Sequence, residues 1–404
     1  MKIKKVVLDK FLLQLLIISL YFGRINIDIG VTIKPYMIVT ALIFFYIFKD
    51  IKIRKLYKFE IYMILFILVY SLTALKFIYP ENHIRYILAF IVLMIFYFTI
   101  RSFFERISMD VVKEKFIYCT NISLAISLFY YFLGVFAASK ISNWNNVRVY
   151  GVLLDRGIPR MIGFISDDPN IFVFFITIGF MYSLTNLKES NNNKLLAILS
   201  GACILLSFSR GAYLAIGISI IFIMLIKGRI SEKIKSILVL LAISIGFIYI
   251  AKLFGIDIVD IVLSRFSNLL SDRGSGRIEL WRNALKTFAN NPIFGIGINS
   301  TIPYGISNYN NSHYVHNTLL EVMSEGGIIS FSFLSIWIVS LYRYCFKIYK
   351  YNKREIFMLG SYVALVCQMI FLSILYNEMF YFFILLVCKF MVYFDKEVKS
   401  MEEE

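Results

Sequence analysis

Long uninterrupted apolar runs constrain this chain more than any other feature. Twelve can be marked, at roughly 11–23, 31–48, 59–79, 84–100, 116–138, 170–187, 194–208, 211–226, 236–254, 318–342, 355–375 and 378–394. A helix needs about 20 such residues to cross the hydrocarbon core of a bilayer. Strands of a membrane barrel would show ten-residue alternation instead. The helical bundle is the spanning structure that remains, because every backbone polar group in lipid must be satisfied internally. Composition agrees: the 404 residues are 59% hydrophobic and only 17% charged, more apolar surface than a soluble fold could hide. We expect an all-α integral membrane protein with about 12 transmembrane helices, forming a single polytopic domain over 1–404.

The net charge of +16 would suggest a nucleic-acid partner in a soluble protein. Here it follows the membrane, and no basic-aromatic nucleic-acid module is visible. With the N-terminus in the cytoplasm, 27 of the 42 Lys and Arg fall in 1–10, 49–58, 101–115, 188–194, 227–235, 343–354 and 389–404. The short loops on the other side hold only Arg24, Lys34, Lys76, Arg85 and Arg210. That asymmetry sets both termini inside, as in a multi-pass protein of a bacterial cytoplasmic (inner) membrane. The first run follows Lys2, Lys4, Lys5 and Lys10 as in a signal sequence, but Tyr21-Phe22-Gly23-Arg24 offers no small-residue cleavage site. We read it as an uncleaved helix. Cys119, Cys203, Cys345, Cys367 and Cys388 lie in or beside apolar runs without CxxC spacing, so neither disulfides nor zinc are expected.

Two outer loops are long, 139–169 and 255–317, and loops of that length are usually functional or disordered. In the second, Ile278, Trp281, Leu285 and Phe288 recur at helical spacing, with Arg277, Arg282, Asn283 and Lys286 on the other faces. Asn290-Asn291-Pro292 stops the pattern. An amphipathic helix over about 277–289, lying on the outer surface, is expected.

Ionisable groups beside so apolar a bundle each ask for a reason. Arg210 sits in a tight break, Ser207-Phe208-Ser209-Arg210-Gly211. It reads either as an interfacial anchor reaching lipid phosphates or as a bidentate ligand for a substrate phosphate, with Gly211 allowing close backbone approach. Arg277 follows Gly274-Ser275-Gly276 at a helix start, a place suited to anions, although a solvated arginine fits as well. Arg282 is one of several charges on the polar face. His83 lies in a short outer loop and reads as incidental. His313 and His316 form an HxxH that no nearby Cys, Asp or Glu completes, so no metal is expected. Asn317, Glu321 and Glu325 follow at i, i+4 and i+8, one stripe down a helix. Such carboxylates need a wet cavity or basic partners; a structural ion pair inside the bundle is the alternative for Glu321 and, less readily, for Glu325. Arg160 and Gly163-Phe164 precede Asp167-Asp168-Pro169-Asn170, which reads as a helix start, Asp167 included.

Four stretches together resemble the O-antigen ligase and polymerase family: RMIGFISDDPN (160–170), SFSRG (207–211), SGRIELWRNALKTFANNPIFGIG (275–297) and HNTLLEVMSEGG (316–327). The continuation Gly327-Ile328-Ile329-Ser330 is less glycine-rich than the family's. The resemblance implies a bundle of the membrane glycosyltransferase C type. It implies a glycan donor on undecaprenyl pyrophosphate at the outer leaflet, and an acceptor that is either a second lipid-linked repeat unit or lipid A core. The flippase and chain-length regulator of such systems are implied partners, and no cofactor is implied. On this resemblance Arg210 and Arg277 steady the leaving pyrophosphate, His316 handles the acceptor hydroxyl, and inversion at the anomeric carbon follows. Glu325 positions His316 or an arginine, while Arg160, Asn170, Asn317, Glu321 and Arg282 line the substrate. Polymerase is preferred to ligase because nothing in the chain points to lipid A core. A non-enzymatic exporter would spread its charges along a transbilayer path, and a membrane acyltransferase would want its histidine inside.

Overall fold

The computed structural model describes residues 2–28, 32–51, 55–76, 78–139, 141, 145–155, 157–226 and 276–402, with 238, 245, 249 and 252. The expected apolar segment 236–254 and the stretches 227–235 and 255–275 lie outside the described residues, those single positions apart. Helices are α1 (Lys2–Tyr21), α2 (Pro35–Ile47), α3 (Lys58–Leu72), α4 (Pro80–Phe104), α5 (Met109–Ala138), α6 (Pro169–Thr185), α7 (Asn191–Leu206) and α8 (Arg210–Ile226). Further along come α9 (Arg277–Asn290), α10 (Thr301–Tyr309), α11 (Thr318–Tyr351), α12 (Ile356–Met369) and α13 (Glu378–Glu402). Lys58–Lys76, Pro80–Phe104, Met109–Ala138 and Thr318–Tyr351 are long and apolar enough to cross a membrane, and Pro169–Thr185 and Arg210–Ile226 are shorter apolar helices. The chain is a mostly helical membrane protein. The run expected over 355–375 stops being helical at Met369, and an irregular strap, 370–377, joins α12 to α13.

Local chemistry explains the helix starts. Pro35, Pro80 and Pro169 stand at the first helical turn, where a missing N–H costs nothing. Side-chain oxygens of Asp168, Ser190 and Asn317 accept from backbone N–H groups that open α6, α7 and α11. Where helices meet, aromatic faces and small residues set the packing. Trp337 of α11 stacks on Phe66 of α3 at 5.5 Å and meets Phe380 of α13 at 5.7 Å. The Ser219 hydroxyl of α8 donates to the Gly360 carbonyl of α12 at 2.6 Å, and a Cβ on Gly360 would come within 2.3 Å of Ile223. Arg101, assigned from sequence to a short loop, is instead in the last turn of α4 and buried. It pairs with buried Glu60 at 2.6 Å, which also accepts from the Tyr97 hydroxyl at 2.8 Å.

A small antiparallel sheet, absent from the sequence reading of 139–169, sits at the opposite end of the helices from Glu60. It comprises β3 (Asn145–Val149), β4 (Val152–Asp155) and β5 (Ile158–Met161). Val152, Leu154 and Met161 are buried beneath it. Gly151 anchors the sheet to α5, its N–H donating to the Tyr130 carbonyl at 3.3 Å. A two-residue pair, β1 (Ile27–Asp28) with β2 (Thr32–Ile33), lies between α1 and α2.

The feature that most shapes this end is a joint between the segment after α9 and a break in α11. Gly327 has φ +64° and ψ −167°, so α11 is interrupted there. Into the break fits the turn-rich segment 292–298: Ile296 N–H donates to the Ser324 carbonyl (3.0 Å), Gly297 N–H to the Glu325 carbonyl (2.8 Å), and Ile328 N–H to the Pro292 carbonyl (2.8 Å). The freed helix groups are thereby satisfied, as buried backbone must be. A Cβ on Gly327 would lie 2.2 Å from the Ile293 carbonyl oxygen, and both Gly295 and Gly327 take left-handed φ.

Candidate functional site

Four segments far apart in sequence converge beside this joint, one of them the α6 start at Asp168. Arg277 opens α9 behind Gly276, which caps it in the left-handed conformation. His316, itself at φ +51°, precedes the capping Asn317 of α11. Phe208, at φ +48°, turns the chain between α7 and α8 so that Arg210 begins α8. Non-glycine residues in this region are held there by their surroundings and recur at functional sites.

Electrostatics ties these groups into one cluster. Burial draws the Arg277 guanidinium below its ordinary pKa, and the neighbouring Arg210 charge pushes the same way while Asp168 opposes. Arginine keeps its proton regardless. His316 is lowered from 6.5 by burial first and the Arg277 charge second, with Asp168 again opposing and exposed His313 adding a little. The imidazole is therefore neutral near pH 7, the form able to accept a proton.

The residues around the break hold it in place. Asp168 Oδ1 accepts from Asn170 N–H (2.7 Å), Ile171 N–H (3.0 Å) and Asn170 Nδ2 (3.0 Å). The Ser209 hydroxyl donates to Asn170 Oδ1 at 2.5 Å and accepts from Ala212 N–H at 3.3 Å. Arg160 of β5 donates from Nε to the Ser207 carbonyl (3.3 Å) and pairs with Asp155 at 3.3 Å. Thus β5, the start of α6 and the α7–α8 break are laced together. Gly211, expected to admit a ligand, admits Phe371 instead, because a Cβ there would sit 2.8 Å from that ring.

Several sequence readings change here. Asp168 caps α6, whereas Asp167 pairs with Arg24 at 3.0 Å and with Arg148 at 4.0 Å. His83 is buried in the first turns of α4, accepting from Tyr79 N–H at 3.3 Å; that leaves Nδ1 to donate to the Ile298 carbonyl at 2.6 Å. Glu325, expected to position His316 or an arginine, accepts from the Tyr70 hydroxyl, Asn299 N–H (2.8 Å), Thr301 N–H (3.0 Å) and Thr301 Oγ1 (2.9 Å). A carboxylate at the N-terminus of α10 is well placed for that helix dipole, so Glu325 braces the joint. Glu321, one turn earlier, is buried with Oε2 unpartnered. Arg282 is exposed on another face of α9 from Arg277. That helix buries Ala284 and Thr287 and leaves Ile278 and Leu285 about half exposed, so the contact face is not the apolar stripe read from spacing. Among the described residues no three His, Cys, Asp or Glu side chains gather as a metal-holding group.

Asp168 and Ser209 are the residues sequence reasoning did not single out. The Asp-Asp-Pro-Asn start and the two serines of the break carried the available signal.

This fold and cluster define a multi-pass helical membrane protein with a basic polar site at one end of the bundle. The family model described as O-Antigen ligase matches residues 195–335, about a third of the chain. The resemblance to the O-antigen ligase and polymerase family therefore holds over that segment, which carries SFSRG, the α9 stretch and HNTLLEVMSEGG. RMIGFISDDPN lies before the matched residues. No curated protein matches the chain. At the coarse level the family implies a membrane enzyme of glycosyltransferase type.

Proposed function

We propose that the chain polymerises undecaprenyl-pyrophosphate-linked oligosaccharide repeat units into surface polysaccharide by glycosyl transfer at the outer leaflet. The observation that carries the reading is the convergence of Arg210, Arg277 and neutral His316 at one end of the bundle. An acceptor hydroxyl attacks the anomeric carbon of the donor as its proton passes to His316. The bond from that carbon to the pyrophosphate oxygen breaks, and the electron pair leaves with undecaprenyl pyrophosphate. Arg277 and Arg210 stabilise the charge developing on that oxygen, as preorganised cations do where water is excluded. Asp168 fixes both the α6 start and the field felt by Arg277. About a dozen helices, with the bundle of glycosyltransferase C type and both long loops outside, belong to the same proposal.

The likeness of residues 195–335 to O-antigen ligase supports a second reading, ligase, in which lipid A core is the acceptor. Purified protein given only the lipid-linked repeat unit separates the two. Polymerase yields a ladder of lengthening glycans and releases undecaprenyl pyrophosphate; ligase yields product only when lipid A core is added. No product under either condition overturns both.

A further inference from the structure

Below the His316 loop, where the strap 370–377 crosses the first turns of α11, lie polar atoms with no partner. Glu321 is only 5% exposed, and its Oε2 makes no hydrogen bond. Ser373 Oγ reaches toward the same carboxylate without the geometry of a full hydrogen bond, and Tyr376 Oη lies in the field of Glu325 and Glu321; both oxygens are buried and complete no hydrogen bond. The strap is docked firmly enough to have satisfied them. Thr318 N–H and hydroxyl donate to the Leu372 carbonyl at 3.0 and 2.5 Å, and Ile374 N–H donates to the Thr318 hydroxyl at 3.1 Å. Glu325, four residues along the same helix, is saturated with donors. A buried carboxyl oxygen without a partner is costly, and three polar atoms on two adjoining elements that complete no hydrogen bond need an explanation.

Aromatic rings lead from this spot to the catalytic cluster. Tyr376 meets Tyr86 edge to face, with centroids 4.5 Å apart. The Tyr86 hydroxyl reaches exposed Tyr314, whose ring lies 6.4 Å from that of His316. Tyrosine offers an apolar face and a polar tip, and a few fixed polar groups at the end of an aromatic wall set a ligand's orientation.

We propose that Glu321, Ser373 and Tyr376 form the hydroxyl-binding end of the acceptor-sugar subsite, with Tyr86 and Tyr314 as its aromatic wall. The strap closes over it. The inference rests on the glycosyl-transfer reading above and deepens it: the acceptor is selected here, five residues beyond His316, and not by the arginines that hold the donor. Sugar hydroxyls would donate to Glu321 Oε2 and complete Tyr376 Oη and Ser373 Oγ. Glu321 is thus a binding residue, with no part in the leaving-group chemistry.

The test compares Glu321→Gln, Tyr376→Phe and Arg277→Lys in purified full-length protein. The donor is the native lipid-linked repeat unit. The acceptor is a fluorescent, lipid-free repeat-unit oligosaccharide, which can receive chain but cannot donate it. Binding of undecaprenyl pyrophosphate alone reports the donor half. Glu321→Gln and Tyr376→Phe should each raise the acceptor KM about three- to tenfold, the range for losing one hydrogen bond between neutral groups. They should still bind undecaprenyl pyrophosphate like the unaltered protein, which Arg277→Lys should not. The melting temperature of Glu321→Gln should stay level, because the amide keeps the shape of the side chain and Oε2 has no hydrogen bond to lose. An acceptor KM within about twofold of the unaltered protein in both variants overturns the subsite. So does a lowered melting temperature with kcat reduced and KM unchanged, which is the signature of a structural role. If Glu321→Gln does not fold, Tyr376→Phe decides alone, since it removes a single oxygen. Failure of the unaltered protein to transfer any sugar or to bind undecaprenyl pyrophosphate overturns the glycosyl-transfer reading itself, and this inference with it.

Discussion

Gly295 lies so close to the peptide of Glu325 that a Cβ on the glycine would come within 2.2 Å of the Glu325 carbonyl carbon. Both backbones are fixed, and Gly295 also has φ +61°. Gly295→Ala and Gly327→Ala should each destabilise by at least about 1–3 kcal/mol, the range for holding a side chain in a disfavoured region, before any steric cost. Thermal unfolding in detergent should show a lowered midpoint and a poorer monodisperse yield for both. Gly276→Ala, with a left-handed φ but nothing within 4 Å of a Cβ, should lose less. Equal losses at all three would mean the joint contributes nothing beyond dihedral strain.

That joint also marks how far the sequence could be read. Apolar runs locate helices because lipid demands them, and α3, α4, α5 and α11 fall where the runs do. Glycines 295 and 327 are visible as letters, yet nothing local says that each makes room for the other's segment across 32 residues. The resemblance implied that Glu325 positions His316 or an arginine, and a carboxylate in a membrane helix does need partners. Those partners are backbone N–H groups of a distant loop and a tyrosine on α3, which no periodicity reveals. The β3–β5 sheet escaped notice because its strands have five, four and four residues, too short for alternation to stand out. On α9 the helix was legible but its contact face was not, since spacing cannot separate an apolar side chain facing protein from one facing lipid. Arg210, Arg277 and His316 were legible as charged or titratable groups beside the bundle, but their meeting at one end was not. Asp168, which joins them electrostatically, was hidden behind an adequate role as a cap.

Glu325 yields a structural prediction that separates it from the cluster. Glu325→Gln keeps the shape but replaces one acceptor oxygen with a donor that faces either Tyr70 and Asn299 or Thr301. Leaving such groups unsatisfied costs about 1–3 kcal/mol. The variant should show reduced yield and a lower melting temperature, while turnover per folded molecule stays within a few fold. A normal melting temperature with lost turnover would return Glu325 to the chemistry.

His316 predicts a pH profile. Its pKa is held below 6.5 by burial and by the Arg277 charge. The neutral base should therefore persist below pH 6.5, and kcat/KM should fall only as the pH drops through the lowered value. Removing the charge with Arg277→Gln should move this acid limb upward, toward 6.5, because the largest depressing charge is gone. Arg277→Lys should leave the limb nearly in place. A limb that does not move in Arg277→Gln, measured on residual activity, would remove His316 from the field of Arg277.

Orientation follows from the asymmetry of basic residues, 27 of 42 on the side assigned to the cytoplasm. Reporter fusions at Asn145 and Ser307 should be active only with an enzyme that functions outside the cytoplasm. Fusions in 343–354 should behave in the opposite way. A cytoplasmic signal at Ser307 would put α10 and the adjoining His316 loop on the wrong side for an outer-leaflet donor.

The arginines give the sharpest comparison. If Arg210 and Arg277 grip the leaving pyrophosphate, a lysine at either position supplies charge without the planar fork that meets two oxygens at once. Loss of one preorganised charge-stabilising donor typically costs about 3–4 kcal/mol, or about 10²–10³ in rate. Arg210→Lys and Arg277→Lys should express near normally and make little polymer. Arg282, exposed on α9, and Arg148, 53% exposed beside Asp167, should tolerate lysine with activity within a few fold. Arg160 is informative for a different reason. Its bonds to Ser207 and Asp155 make it a brace for the break, so Arg160→Lys should lower both stability and rate by modest amounts. Polymer yield is compared at matched protein levels, alongside undecaprenyl pyrophosphate release in detergent. Near-normal polymer from both Arg210→Lys and Arg277→Lys would sink the pyrophosphate clamp, while the resemblance over 195–335 would stand on its own residues.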